Sequence, residues 1–420
     1  MQIAYICASL NLKLIEDMPE IIYVILSFGL SLLIAVRSIP TIISVAHQKH
    51  LFDEPNGRSA ATQVVPTLGG IAIFLGFVLS VTIAGNGFVM PGLKYILAAV
   101  IIMFFVGLKD DILSLSPWKK LAAQLASAFM LIVLADIRFT NLHGFMGIHE
   151  ISYPVSFLLS GFVMIVFINA FNLIDGIDGL ASGISIIAAG VLGVWFYLAG
   201  HIEYTILAFS LIGALSGFFY FNVYGKKNKI FMGDTGSLIL GTIMSVLVIQ
   251  FNELNIIQTR PFAIASAPAV SFGILIYPLF DTIRVFAIRM YQGRSPFSPD
   301  KNHIHHRLLA LGMSHKQATF TLLAVSALYV VPVFLLQGLG IWGLMAVNLT
   351  FAMGSVMLLG RHIQIRQLIR KDDPFQQILI PRRNERLIDM PGLERQDKKP
   401  AAVRRGLVRA LSQLDKISFW

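Results

Sequence analysis

Runs of apolar residues bounded by glycine, proline and charge recur near 20–36, 66–84, 93–108, 121–136, 153–170, 183–200, 204–221, 236–252, 263–286, 319–336 and 340–360. Most approach the roughly 20 residues that an α-helix needs to cross a hydrocarbon core. The pattern predicts an all-α, polytopic membrane protein with about eleven transmembrane helices. Polar residues gather in the connections between runs, and neither a solenoid repeat nor a pair of inverted halves stands out.

Composition sharpens this reading. The chain has 420 residues, 56% of them hydrophobic and 13% charged, with a mean hydropathy of +0.73. A soluble chain carries about 25% charged residues, and half that cannot cover a protein of this size in water. Eleven spans use about 220 residues, which leaves no room for a large extramembrane domain. Two regions are expected: a membrane domain over 1–360 whose loops carry the chemistry, and a tail over 361–420. The single cysteine, Cys7, makes no internal disulfide and excludes a cysteine-based metal site. The first twenty residues lack a basic start and a cleavage site, so the run that follows them reads as a retained span.

Charge adds orientation. The net charge is +10, and the tail from Arg361 holds fourteen Lys/Arg against seven Asp/Glu, or +7 of that total. Leaving directly from a span, such a tail suits an anionic membrane surface better than nucleic acid. Within it, Val403, Leu407, Leu411 and Leu414 follow helical spacing beside Arg404, Arg405 and Arg409, as in a basic amphipathic helix. One set of loops carries most of the remaining cations, from Arg37 and Lys49 to Arg307 and Lys316; the other set has Lys13, Lys94, Arg138 and Arg260. The bias places the N-terminus outside and the tail in the cytoplasm.

Four segments on the cytoplasmic side concentrate the unusual polar residues. Asp110-Asp111 ends the third run, shortly before Lys119 and Lys120. Asn169, Asn172, Asp175 and Asp178 recur every three residues, interrupted by Gly176, Gly179 and Gly183. Gly233-Asp-Thr-Gly-Ser237 opens the eighth run. His303, His305 and His306 adjoin Arg307 and Lys301 between Pro299 and the tenth run. If the second segment is helical, its two carboxylates and two amides share one face, an oxygen-rich stripe suited to Mg²⁺. Helix capping and snorkelling explain a single such residue well and four in register poorly. Acids at a helix C-terminus oppose its dipole, so Asp110 and Asp111 call for a cation or basic partner. Gly233 to Ser237 reads equally well as an N-capping turn or an anion site. The histidines fit phosphate better than a transition metal, given the adjoining cations and the lack of cysteine. Together these features describe phosphoryl transfer between a soluble nucleotide compound and a lipid. A transporter would place ionisable groups at mid-membrane, where these runs have few.

At these four segments the chain resembles the polyprenyl-phosphate N-acetylhexosamine-1-phosphate transferases, most closely the bacterial enzymes that load GlcNAc-1-phosphate onto undecaprenyl phosphate. The resemblance runs from about Pro55 to Gly312 and rests on Asn169-Ala-Phe-Asn-Leu-Ile-Asp-Gly-Ile-Asp-Gly179, Gly233-Asp-Thr-Gly-Ser237 and His303-Ile-His-His-Arg307. It implies a UDP-N-acetylhexosamine donor, undecaprenyl phosphate as acceptor, UMP as by-product and Mg²⁺, with Mn²⁺ as a substitute, at the inner face of the bacterial plasma membrane. Asp234 and Asn172 would hold the metal. Asp110 and Asp111 would be catalytic, together with Asp175 and Asp178. Lys120 would meet phosphate, Asp178 the nucleotide, and Asn169 the substrate. His303, His305, His306 and Arg307 would contact the donor sugar or diphosphate. The related phospho-MurNAc-pentapeptide transferase is the alternative, and the His-x-His-His loop favours the GlcNAc branch. A CDP-alcohol phosphatidyltransferase is rejected: Ser182 stands where that signature needs arginine, and its second pair of aspartates is missing.

Overall fold

The computed structural model describes residues 19–49, 51, 65–85, 90, 92–259, 262–294 and 302–371. Thirteen helices and one hairpin make up these residues: α1 Glu20–Lys49, α2 Gly69–Ala84, α3 Leu93–Leu113, α4 Pro117–Phe129, β1 Asn141–Phe145, β2 Ile148–Glu150, α5 Tyr153–Ile174, α6 Leu180–Leu198, α7 Ile202–Tyr224, α8 Gly233–Leu254, α9 Ala267–Ile274, α10 Ile276–Tyr291, α11 Ile304–Ala310, α12 His315–Leu335 and α13 Gly340–Lys371. Among the described residues, seven helices are long and apolar enough to cross a membrane, or eight if α9 and α10 are one bent span. The other three apolar runs form helices α2, α3 and α4, the last prolonged by a π-helical turn over Met130–Leu134, and do not add to that number. The amphipathic tail helix lies outside the described residues.

The helix at the centre of the bundle is α8, buried along nearly its whole length. Small residues make that possible, because they let neighbouring backbones approach closely where no hydrophobic effect drives helices together. A Cβ on Gly241 would lie 2.5 Å from Ile168 Cα of α5. The hydroxyls of Thr242 and Ser245 bond back to the Leu238 and Thr242 carbonyls at 2.8 and 2.7 Å, so neither hydroxyl is stranded in the core. Around this axis stand α2, α3, α5, α6 and α9. Large apolar side chains such as Ile25, Leu158, Phe162, Leu328 and Leu335 point outward and stay exposed, as a lipid-facing surface requires.

Three features depart from the sequence reading. The run over 263–286 is not a straight span: α9 and α10 meet at 84°. Pro278 supplies the reason, since it lacks an N–H and its ring crowds the carbonyl of Ile274 four residues earlier. The stripe Asn169–Asp178 is not one helical face either. Helix α5 ends at Ile174, Asp175 is its C-cap, and a turn carries the chain to Gly179, at φ 77°. Finally, a hairpin with Asn141 opposite Glu150 interrupts the helices, and its Phe145 stacks on Trp342 at 4.4 Å.

The N-terminus of α8 is held by backbone. Gly69 and Gly70 donate N–H to the carbonyls of Phe231 and Met232, at 2.9 Å each. Gly107 of α3 lies so near that a Cβ there would stand 2.7 Å from Thr235 N and 2.9 Å from Asp234 O. Gly107→Ala should therefore destabilise the fold by about 1–3 kcal/mol, read as a lower thermal midpoint in detergent. Gly354→Ala, which meets nothing within 4 Å, should leave the midpoint unchanged. Equal midpoints for the two variants would disprove the close approach.

Candidate active site

Three helix ends meet at the start of α8. Asp110 and Asp111 close α3, Lys120 lies in the first turn of α4, and Asn172 is in the last turn of α5. Lys120 forms an ion pair with the buried Asp110 and lies 3.4 Å from Asp234 Oδ2. Asn172 donates to Asp234 Oδ1 at 2.5 Å and to Ser237 Oγ at 2.9 Å. Asp110 has its other oxygen occupied by the Leu115 N–H at 2.5 Å. So Asp110, Lys120, Asp234 and Asn172 form one connected cluster.

Asp111 has a different task. It accepts the N–H groups of Asp234 and Thr235 at 2.7 and 3.0 Å and the Thr235 hydroxyl at 2.5 Å. Helix α8 has no cap from its own preceding residue, and Asp111 satisfies its first N–H groups from another helix. The glycine-rich turn is thus an N-terminus capped by α3. Gly233 adopts φ 71°, and a Cβ there would come 2.6 Å from Asp111 Oδ2. The partners that the acids at the end of α3 require are therefore Lys120 and the positive end of α8.

The remaining residues divide between neighbours. Asn169 turns to α4, donating to Gln124 Oε1 at 3.0 Å and to the Ile165 carbonyl at 2.8 Å. Asp178 pairs with Lys229 at 2.6 Å. Its backbone carbonyl accepts the Thr319 hydroxyl at 2.7 Å. Asn222 ties this turn down, accepting from Gly179 N at 2.6 Å and donating to the Ile230 carbonyl at 2.8 Å. Asp175 has no hydrogen bond to the protein among those of the described residues. Burial, then the negative charges of Asp234, Asp111 and Asp178, push its carboxyl well above the usual range.

His303, His305 and His306 approach the cluster through the turn after α5. A side chain on Gly176 would run into the His305 Nε2 edge. Burial, with neighbouring His306 adding to it, lowers the His305 imidazole to about 3, so that ring is neutral near pH 7. His303 Nδ1 lies 2.9 Å from Asp281 Oδ2. Both rings are buried, and neither Nε2 has a partner among the described residues. His306 packs beside His305 with ring centroids 4.3 Å apart, and Arg307 follows on α11. Asp281 and Arg284 escaped the sequence reading because they sit inside an apolar run. An acid and a base three residues apart in such a run were the available signal, since ionisable groups there are costly.

Among the described residues, no three His, Cys, Asp or Glu side chains stand together as a ready metal cage. The donor set is nevertheless one of hard oxygens. Asp234 and Asn172 are in contact, and the unbonded Asp175 feels three other carboxylates. A divalent cation relieves that field, and Mg²⁺ commonly takes only one or two carboxylates, completing its shell with substrate phosphates. The residues fit Mg²⁺.

Comparison with known proteins bears on this arrangement of acids and a lysine at membrane-helix ends. The model for glycosyl transferase family 4 matches residues 93–252, the stretch that carries Asp110, Asp111, Lys120, Asn172, Asp175, Asp178 and Asp234 but not the histidines. An undecaprenyl-phosphate alpha-N-acetylglucosaminyl 1-phosphate transferase of Yersinia pestis is 30% identical over 75% of this chain and 83% of its own length. Its counterpart in Escherichia coli K12 is 30% identical over 67% and 75%. A probable undecaprenyl-phosphate N-acetylglucosaminyl 1-phosphate transferase of Bacillus subtilis is 30% identical over 77% and 87%. The fold and the matches together define a membrane-embedded transferase. The chain belongs to glycosyl transferase family 4.

Proposed function

We propose that this protein transfers GlcNAc-1-phosphate from UDP-GlcNAc to undecaprenyl phosphate at the cytoplasmic face of the bacterial plasma membrane, releasing UMP. The observation that carries the reading is the cluster of Asp110, Lys120, Asn172 and Asp234 at three converging helix ends. Relatives named as undecaprenyl-phosphate N-acetylglucosaminyl 1-phosphate transferases match the chain over most of its length.

The reaction exchanges one phosphoanhydride for another. An oxygen of the lipid phosphate attacks the donor's β-phosphorus. The bond from that phosphorus to the bridging oxygen breaks, and the bridging oxygen leaves with UMP. Bond energies nearly cancel, so catalysis rests on positioning and on neutralising crowded negative charge. Lys120 supplies one fixed cation, oriented by Asp110 and aimed beside Asp234. Asp234 and Asn172 would hold Mg²⁺, with Asp175 near them, and the bound ion would neutralise the diphosphate. His303, His305, His306 and Arg307 would contact the donor sugar or diphosphate, and Asp178, paired with Lys229, would contact the nucleotide.

The test is incubation of the purified protein with undecaprenyl phosphate, Mg²⁺ and a panel of labelled UDP-sugars, scoring lipid product and UMP together. UDP-GlcNAc should give stoichiometric UMP and a lipid-linked sugar phosphate, with Mn²⁺ replacing Mg²⁺. A preference for UDP-MurNAc-pentapeptide would assign the chain to the peptidoglycan branch instead. No product from any donor would overturn the proposal.

A further inference from the structure

We infer that Asp281 is a positioning residue of the donor pocket: it holds His303 in the tautomer whose Nε2 is a bare acceptor for a hydroxyl or amide N–H of the sugar. The inference rests on the reading above, in which the histidine segment meets the donor.

Asp281 lies on α10, beyond the 84° bend, and is fully buried. Its carboxylate accepts from three sides. Arg284 donates to Oδ1 at 2.6 Å, Ile304 N–H approaches Oδ2 at 3.2 Å, and His303 Nδ1 stands 2.9 Å from Oδ2. A carboxylate only accepts, so the proton in the last contact sits on His303 Nδ1. Arg284 already balances the charge and also donates to the Asn302 carbonyl at 2.6 Å. A ring with its one proton on Nδ1 keeps Asp281 paired and carries a lone pair on Nε2.

That nitrogen is buried and has no partner among the described residues. A buried polar atom left without a partner is costly, a cost that substrate binding can remove. Diphosphate oxygens are acceptors and would face the lone pair unfavourably. Sugar hydroxyls and an acetamido N–H are donors and match it. His305 differs, because its Nδ1 is 3.5 Å from the Tyr277 hydroxyl, a group able to donate or accept. Of the two rings, His303 is the one whose polarity an acid fixes.

Asp281→Asn separates this role from simple support. The amide keeps one oxygen for Ile304 N–H and Arg284, yet can turn its NH₂ toward Nδ1. That would drive the proton to Nε2 and convert the acceptor into a donor. The wrong-tautomer effect is known from the Asp-to-Asn change in serine protease triads. The experiment is ¹⁵N NMR of the full chain, labelled on histidine in detergent, with the His303 signals assigned by their loss in His303→Ala. The wild type should show a protonated Nδ1 and a bare Nε2, and Asp281→Asn should reverse them. In parallel, kcat/KM for UDP-GlcNAc should fall at least tenfold in Asp281→Asn. A collapse of the preference for UDP-GlcNAc over UDP-glucose would identify the acetamido N–H as the group read; equal losses for both donors would identify a hydroxyl.

A wild-type His303 protonated on Nε2 overturns the inference, and this result needs no variant to fold. So does a reversed tautomer with unchanged kcat/KM. If the wild type transfers no sugar phosphate at all, the functional reading fails while the tautomer measurement still stands or falls by itself.

Discussion

Asp234→Asn should lower kcat/KM by about 10³, or roughly 4 kcal/mol of transition-state stabilisation, and Asn172→Ala should lose a comparable amount. Both side chains are in contact at the N-terminus of α8, with Lys120 on the far oxygen of Asp234. Loss of fold is too small an effect to explain such a drop. An acid in the first turn of a helix contributes about 0.3–1 kcal/mol through the dipole, and the Asn172 hydrogen bonds contribute about 1 kcal/mol each. The backbone frame around the turn does not depend on either side chain, because Asp111 caps the helix and Gly69 and Gly70 dock on residues 231–232. The discriminating measurement is a Mg²⁺ titration of activity. Both variants should need far more Mg²⁺ for half-maximal rate while keeping wild-type thermal midpoints. Full activity with an unchanged Mg²⁺ dependence would show that the metal is held elsewhere.

The helices were readable because a bilayer makes their physics simple: long apolar runs must be helical, and only their ends are ambiguous. Where the chain uses apolar residues without crossing straight, that signal misleads. Pro278 lies in a run as hydrophobic as its neighbours, so the bend between Ile274 and Ile276 left no mark on hydropathy. The hairpin over 141–150 was equally silent. Its turns rest on positive φ at His143 and Met146 beside Gly144 and Gly147, and non-glycine residues advertise such conformations poorly.

The site was legible as segments and not as partners. Asp110, Asp111, Asn172, Asp178 and Asp234 stood out because carboxylates and amides are rare at apolar run ends. Their division of labour depends on which helix faces which, and sequence spacing does not carry that. Asp111 is the clearest example: its neighbour Asp110 meets a lysine, while Asp111 caps a helix that begins 122 residues later, at Gly233. The three-residue period over Asn169–Asp178 suggested a shared face, yet the helix stops in its middle. Asn169 and Asp178 then turn to different neighbours, Gln124 and Lys229.

Asp110→Asn should leave a rate defect that stays constant from about pH 6.5 to about 8.5 if, as we propose, Asp110 orients a cation and does not abstract a proton. The chemistry argues against a base. A phosphate monoester has its second pKa near 6, so most of the lipid phosphate is already dianionic at neutral pH. Removing the last proton there is worth on the order of 1 kcal/mol or less. The geometry agrees, since one oxygen of Asp110 receives the Leu115 N–H and the other meets the Lys120 ammonium. Neither is left to receive a proton without giving up one of these bonds. Neutralising Asp110 would release that lysine from its place beside Asp234, and the fixed cation next to the diphosphate would be lost at every pH. Its cost should be about 10²-fold, the usual effect of removing one preorganised electrostatic contact. A general base predicts another profile: the variant would climb toward the wild-type rate as rising pH deprotonates the acceptor without help. The two profiles diverge most between pH 7.5 and about 8.5, where a recovering variant would show Asp110 to be the base.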